Sequence, residues 1–305
     1  MKNHRLLLLL CLSLVPSVAG AQAPRDLPGF DLQHLHFEPS GLGSLVVGTG
    51  RTLDPGVVRA SLQAHYEHMP LNFSRTWDPV LNVNGLVEDK LTTHLTAAVG
   101  VLPWLHVGAQ VPFITFQRGH AFKGINPPDG QGLGTPWVSV RAAPLQVKNG
   151  APMNLGAELA AGLPVGRPEI LGRDRFALRP QVQLGVQGDT FQVGAEVGAL
   201  LRPRQDLTPF SGRERDVLGN ELRLGLAVTS RGVNKTATRP ELSVLLNLPL
   251  QGGRPSGEVL VGVRKHVARG LVDLYFLGGP GLGSALDMPV LRFLAGASFA
   301  TDTLD

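Results

Sequence analysis

Twelve segments with an apolar period of two, a leader for export, and connections that alternate between tight and long predict an all-β fold. The architecture that joins these three observations is a transmembrane antiparallel up-and-down β-barrel of about 12 strands.

The leader comes first in the chain. Lys2 and Arg5 precede an apolar run from Leu6 to Val15, and Ala19 and Ala21 supply a small-residue cleavage pattern. That run is only 10 residues long, whereas a spanning helix needs about 20, so residues 1–21 read as a cleaved signal peptide. Cleavage after Ala21 is favoured over Ala23, which would leave Pro24 after the scissile bond. Cys11 lies inside the leader behind Leu10 rather than a small residue, so no lipoprotein acylation box forms. Removing 21 of 305 residues leaves 284 without a cysteine. A chain of that size with no disulfide must be held by hydrogen bonds and packing, which suits export through a Gram-negative periplasm.

Charge excludes one class of partner. Without Lys2 and Arg5 the count is 26 basic against 24 acidic residues, a formal +2, and no basic run reaches five. Nucleic acid is therefore not an expected partner.

Residues 22–56 read as an N-terminal periplasmic or lumen segment, rich in turn residues, with one possible short strand at SLVVG. Strands are expected at about 57–69, 91–102, 104–116, 135–143, 154–164, 176–187, 191–201, 219–229, 240–249, 256–265, 270–277 and 289–300, making residues 57–300 the barrel and 301–305 a tail. In the first of these, Val58, Ala60, Leu62, Ala64 and Tyr66 alternate with Arg59, Ser61, Gln63, His65 and Glu67. Strands of roughly 9–12 residues suit a tilted bilayer crossing, soluble strands averaging about 5–6, so the apolar set should face lipid and the polar set the lumen. Closure removes the unpaired edges that lipid could not satisfy. Aromatic residues near strand ends, Tyr66, Trp104, Phe113, Trp137, Phe176, Phe191, Phe276 and Phe299, would form sparse girdles.

Several stretches, FDLQHLHFEPSGLGSLVVGTG, AHYEHMPL, HLTAAVGVLPWLHVGAQVPF, GLGTPW, GLPVGR and VGAEVGALLRP, together resemble the N-terminal barrels of OmpA-family outer-membrane proteins of myxobacteria and related Gram-negative bacteria. The resemblance spans nearly all of the mature chain. It implies an outer-membrane location. Relatives of this kind commonly continue into Asp-rich calcium-binding repeats and a peptidoglycan-binding domain, whereas this sequence stops at TDTLD, so no peptidoglycan-binding domain is expected. The last strand keeps Gly296 and Phe299, part of the signal read by barrel-assembly machinery, but Leu294 stands where a polar residue is usual.

The inward positions carry Arg59, Arg141, Arg179, Arg223, Arg264 and Arg292 against Glu67, Glu158, Glu196, Glu221, Glu241, Glu258 and Asp273. Opposite signs on neighbouring strands offer cross-strand pairs that narrow the lumen and nearly cancel its charge. His65, His94 and His106 join these lumen-lining residues on the first three strands, without the spacing of a metal motif, so no metal or cofactor is expected. GLGSLVVGTG, GQGLGT and GPGLGS lack the following helix that a nucleotide site needs and read as turns. Neither a GxSxG element nor a credible Ser-His-Asp order appears, and no catalytic residue is expected.

The expected function is a passive channel or transport-type barrel with a narrow charged lumen. The alternative is a structural or adhesive surface protein with a plugged lumen, acting through its Trp77- and Phe122-bearing loops. The expected surroundings are outer-membrane lipid and lipopolysaccharide, with the assembly machinery as partner during insertion.

Overall fold

The computed structural model describes residues 27–302 apart from residues 28, 34, 74–84, 173–174, 213, 215, 232–237 and 269–270. The expected leader and Trp77 lie outside the described residues.

Twelve long strands form the wall: β1 (Val58–Leu71), β2 (Val87–Leu102), β3 (Leu105–Arg118), β4 (Trp137–Leu145), β5 (Asn154–Gly162), β6 (Ala177–Gln187), β7 (Phe191–Leu200), β8 (Glu221–Ser230), β9 (Thr238–Pro249), β10 (Ser256–Val267), β11 (Val272–Gly283) and β12 (Leu291–Ala300). Each pairs antiparallel with its sequence neighbours, and β1 also pairs with β12, with Gln63 opposite Gly296, so the sheet is closed. The fold is a closed antiparallel barrel of 12 strands. A two-residue strand at Gly132–Leu133 and a two-stranded ribbon of Gln205–Asp206 with Val217–Leu218 decorate the long loops.

Periodicity explains why these residues form a wall. On β1 burial alternates strictly from Val58 to His65, Arg59, Ser61, Gln63 and His65 being buried and Val58, Ala60, Leu62 and Ala64 exposed. The outward positions around the whole circumference, among them Leu62, Leu95, Val140, Leu159, Val182, Val197, Leu226, Val261 and Leu274, are exposed aliphatics. A continuous apolar outer surface of this extent has no place in water.

The sequence places strand ends within a few residues almost everywhere. The largest differences are at β2, which starts at Val87 rather than 91, and at β11, which runs to Gly283 rather than 277. Gly278, Gly279, Gly281 and Pro280 read as turn residues, yet the backbone stays paired with β12 through Pro280↔Leu291. Glycine is needed there for space: a Cβ on Gly279 would fall 1.7 Å from the Val259 carbonyl oxygen.

Two expectations about faces are corrected. Trp137 is no girdle residue; it is buried in the lumen, edge-on to His36 at 4.6 Å, with the Arg179 guanidinium 5.7 Å from its ring centre. It shares parity with Ser139 and Arg141, so the strand's own alternation turns it inward. The inner face is also less polar than expected, because Leu245, Leu260, Leu277 and Leu294 point into the lumen.

Candidate functional site

Residues 29–33 and 35–57 run through the barrel. At the long-loop end, Phe30 and Leu32 are buried among Leu71, Phe73, Leu86, Ile125, Leu171, Leu207 and Leu286, and Leu32 N–H donates to the Leu171 carbonyl at 3.0 Å. Phe122 packs at the edge of this apolar cap, 5.5 Å from the Phe73 ring. At the short-turn end, Leu53 is buried beside Ala98, and the chain enters β1 through the exposed turn at Asp54–Gly56. Between these ends the segment fills the lumen.

The inward leucines explain the fit. Leu35, Phe37, Leu45, Val46 and Val47 of the segment form one buried cluster with Ala227, Leu245, Leu260, Tyr275, Leu277 and Leu294 of the wall. Leu294, out of place for a wet lumen, is in place for one that holds an apolar loop.

Polar contacts fix the same loop. Arg141 on β4 sits between two carboxylates, Glu158 on β5 and Glu38 of the segment, and donates to both. All three side chains are at most 2 % exposed. A planar guanidinium can serve two carboxylates at once through its separate N–H edges, which an ammonium could not do as well. Arg179 on β6 reaches Glu158 at 3.5 Å, and Glu196 on β7, half-buried, accepts the Gly48 N–H at 2.7 Å. The cavity left between Glu38, Val46, Glu158, Arg179 and Glu196 is about 10 Å³, barely the room of one water.

The other expected lining residues fall into three further groups. Arg292 reaches Glu258 at 2.5 Å and Glu67 at 3.2 Å, with Lys90 3.6 Å from Glu67 and His65 hydrogen-bonded to Arg292 at 2.5 Å. Arg59 lies 3.8 Å from Asp273, whose other oxygen meets His266, and Arg264 lies 3.5 Å from Glu241. Near the long-loop rim Glu221 pairs with Arg202 at 2.6 Å, which also reaches Asp287 at 3.7 Å, while Arg223 donates to Asn247 at 3.1 Å.

The three histidines do not meet as one group. His65 and His94 stack obliquely at 5.5 Å against Phe37, and Gln33 and Gln110 lie within hydrogen-bond distance of the His94 ring nitrogens. His106 sits opposite Arg141 in the β3–β4 register. Among the described residues no three His, Asp or Glu side chains are placed to hold a metal ion.

Sequence reasoning missed the occupant's own residues. Glu38 is the sole acid between Leu32 and Leu53, and a lone carboxylate in an apolar, glycine-rich stretch facing a wall rich in arginines was the available signal. GLGSLVVGTG is a run of bends, so the short strand expected at SLVVG does not form; the reason lies in the lumen, where Gly41, Gly43 and Gly50 turn the chain with φ of +56°, +91° and +68°. A Cβ on Gly41 would land 2.3 Å from the Arg59 guanidinium carbon. Gln110, Gln146 and Arg202 are further missed partners.

No protein-family model matches the sequence, and no curated protein matches it. Among solved structures, the COG4313 outer membrane channel from Pseudomonas putida F1 superposes with a TM-score of 0.60 at 15% identity, over 83% of this chain and 98% of that one. The two chains share the fold, a closed antiparallel barrel. The β domain of the Bordetella autotransporter BrkA (TM-score 0.46, 14% identity, 81% of this chain and 99% of that one) and the CymD monoaromatic hydrocarbon channel (0.44, 10%, 89% and 98%) are looser likenesses.

Proposed function

We propose that this chain is an outer-membrane barrel of channel type, exported through the periplasm and closed at rest by its own N-terminal segment. The apolar outer belt and the likeness to an outer-membrane channel support the location, with lipid and lipopolysaccharide around the wall and assembly machinery acting during insertion. The OmpA-family resemblance belongs to this reading and rests on the strand and turn motifs of the sequence. The reading is of a conduit, not an enzyme.

The observation that carries it is Arg141 held jointly by wall and segment, through Glu158 and Glu38. If the segment moves, Arg141 keeps its wall partner and Glu38 leaves with the occupant. The passage then exposed is narrow and charged, lined by Arg59, Arg141, Arg179, Glu196, Glu241 and Arg264. In planar bilayers the unmodified protein should conduct little, with rare openings of low ion selectivity, and Glu38→Gln should raise the fraction of time open. A large steady current from the unmodified protein would mean a general porin instead. The purified protein should also fractionate with outer membranes and migrate faster unboiled than boiled; recovery from the soluble periplasm would defeat the location.

A second reading, a surface protein whose lumen stays plugged, is favoured by the apolar cap that ties Phe30 and Leu32 to the long loops. No current in Glu38→Gln at any voltage would select it.

A further inference from the structure

Besides the Glu38 clamp, the apolar cluster and the Ser44 and Thr52 hydroxyls, the wall grips its occupant by the main chain. Gln110 accepts the Phe37 N–H at 3.2 Å, Glu241 that of Leu45 at 3.0 Å, and Glu196 that of Gly48 at 2.7 Å. Arg59 donates to the Pro39 carbonyl at 3.2 Å and Arg264 to the Gly41 carbonyl at 2.7 Å. Gln146, in the β4–β5 connection, accepts the Thr52 N–H at 3.3 Å. These groups come from β1, β3, β7, β9 and β10 as well as that turn, so the pattern surrounds the loop.

Glycines on the wall let main chain lie against main chain. A Cβ at Gly185 on β6 would fall 2.2 Å from the Thr49 carbonyl oxygen, and one at Gly156 on β5 would fall 3.1 Å from Gly50 Cα. The occupant answers with a compact loop, closed by Glu38 N–H to the Leu45 carbonyl at 2.8 Å and turned by its own glycines. Amides and carbonyls are common to all peptides, so recognition of this kind specifies a shape of backbone more than a list of side chains.

We propose that the lumen is a peptide-binding site, that residues 37–52 are its resident occupant, and that another glycine-turned peptide loop can take the same groups when the resident segment withdraws. This rests on the reading of the chain as a channel closed by that segment, and it names the class of molecule such a channel would admit. The pattern of donors and acceptors is what favours peptide over other polar solutes: carboxylate and amide acceptors stand opposite N–H groups, and guanidinium donors opposite carbonyls, within one loop.

The test uses the whole folded protein with a protease site inserted between Pro55 and Gly56, in the exposed turn where a Cβ on Gly56 would meet nothing within 4 Å. After cleavage, a fluorescent synthetic peptide of residues 29–53 is added, and its exchange into the barrel and its block of bilayer current are both recorded. The peptide should exchange in and close the opened channel. Versions with Val46 and Val47 replaced by isoleucine should bind within about tenfold of it, since shape and apolar character are kept. N-methylation of Leu45 and Gly48, which deletes the N–H groups given to Glu241 and Glu196, should weaken binding about 100-fold or more, because each is a hydrogen bond to a carboxylate, the first buried and the second partly so. Equal binding by the N-methylated peptide would overturn main-chain recognition, and so would a resident segment that no peptide displaces. A cleaved protein that exchanges peptide yet never conducts would spare the peptide site and remove the channel reading.

Discussion

Along β5 the side chains of Glu158 and Ala160 are buried, while Leu159 between them is 53 % exposed, and the same step of two repeats around the barrel. Residues 35–53, which occupy the lumen, keep no such step: Leu45, Val46 and Val47 stand consecutively and all are buried. The difference follows from the surroundings. A wall strand separates two media, so its sequence must alternate. A loop enclosed on all sides has one medium, so its sequence need only match what faces it.

That contrast is tested most severely where wall and loop share a group. Arg141→Met leaves Glu38 and Glu158 as neighbouring buried carboxylates, one on each side of the boundary, and stripping a buried pair of one partner typically costs about 3–5 kcal/mol. Denaturant unfolding, followed by the mobility of unboiled protein on a gel, should show a larger loss than any substitution on the outer face. If Glu38→Gln matches it, the wall carboxylate takes no part and the clamp belongs to the loop alone.

Next in size is a charge placed on the outer face. Leu159→Arg puts a guanidinium near the middle of a lipid-facing strand, at a cost of roughly 2–4 kcal/mol. The occupant should remain seated, because nothing in the lumen changes. Ala160, fully buried beside Trp137, Ala177 and Leu200, faces inward but not into water. A charge there should also be destabilising, and only a substitution tolerated at Leu159 would mean the faces are reversed.

A third change separates the loop from the wall. Gly185→Ala drives a methyl group into the Thr49 carbonyl oxygen, 2.2 Å away, where neither backbone can yield easily. Overpacking of this sort costs roughly 1–3 kcal/mol, and here it should fall on the loop: proteolysis within residues 38–50 should quicken while the unboiled barrel keeps its mobility. Gly188→Ala, in the β6–β7 turn with its nearest atom at 3.5 Å, is the control and should do nothing. Equal proteolysis in the two variants would disconnect the wall glycines from the seating of the loop.

How much of this is legible in the sequence depends on which rule wrote the residues. The strands, their number and their facing follow from alternation at positions such as Val58 to Glu67, because that pattern is local. The inward charges follow from parity. Their true partners do not: parity sets Arg141 against Glu158 alone, since Glu38 lies more than a hundred residues away in a stretch with no period. Leu294 carries the clue in plain view, an apolar residue on an inner face, and only the finished barrel shows that Val46 and its neighbours are what it awaits.

The smallest effect is expected at the rim where the loop leaves the lumen. Lys148 Nζ lies 2.6 Å from Asp54 Oδ1, but the two side chains are 30% and 68% exposed. Water and salt screen such a pair, and exposed ion pairs contribute about 0–1 kcal/mol. Lys148 also donates to the Thr52 carbonyl at 3.2 Å, a contact that does not need Asp54. Beside it, Gln146 holds the Thr52 N–H and hydroxyl from within the buried lumen, at 3.3 and 3.0 Å. Asp54→Asn should therefore leave resting conductance, and its dependence on salt, as in the unmodified protein, while Gln146→Ala should loosen the lower end of the loop and add openings. If Asp54→Asn opened the barrel and Gln146→Ala did not, closure would be held by an exposed latch at the mouth, and the buried contacts along residues 37–52 would be packing without control of the passage.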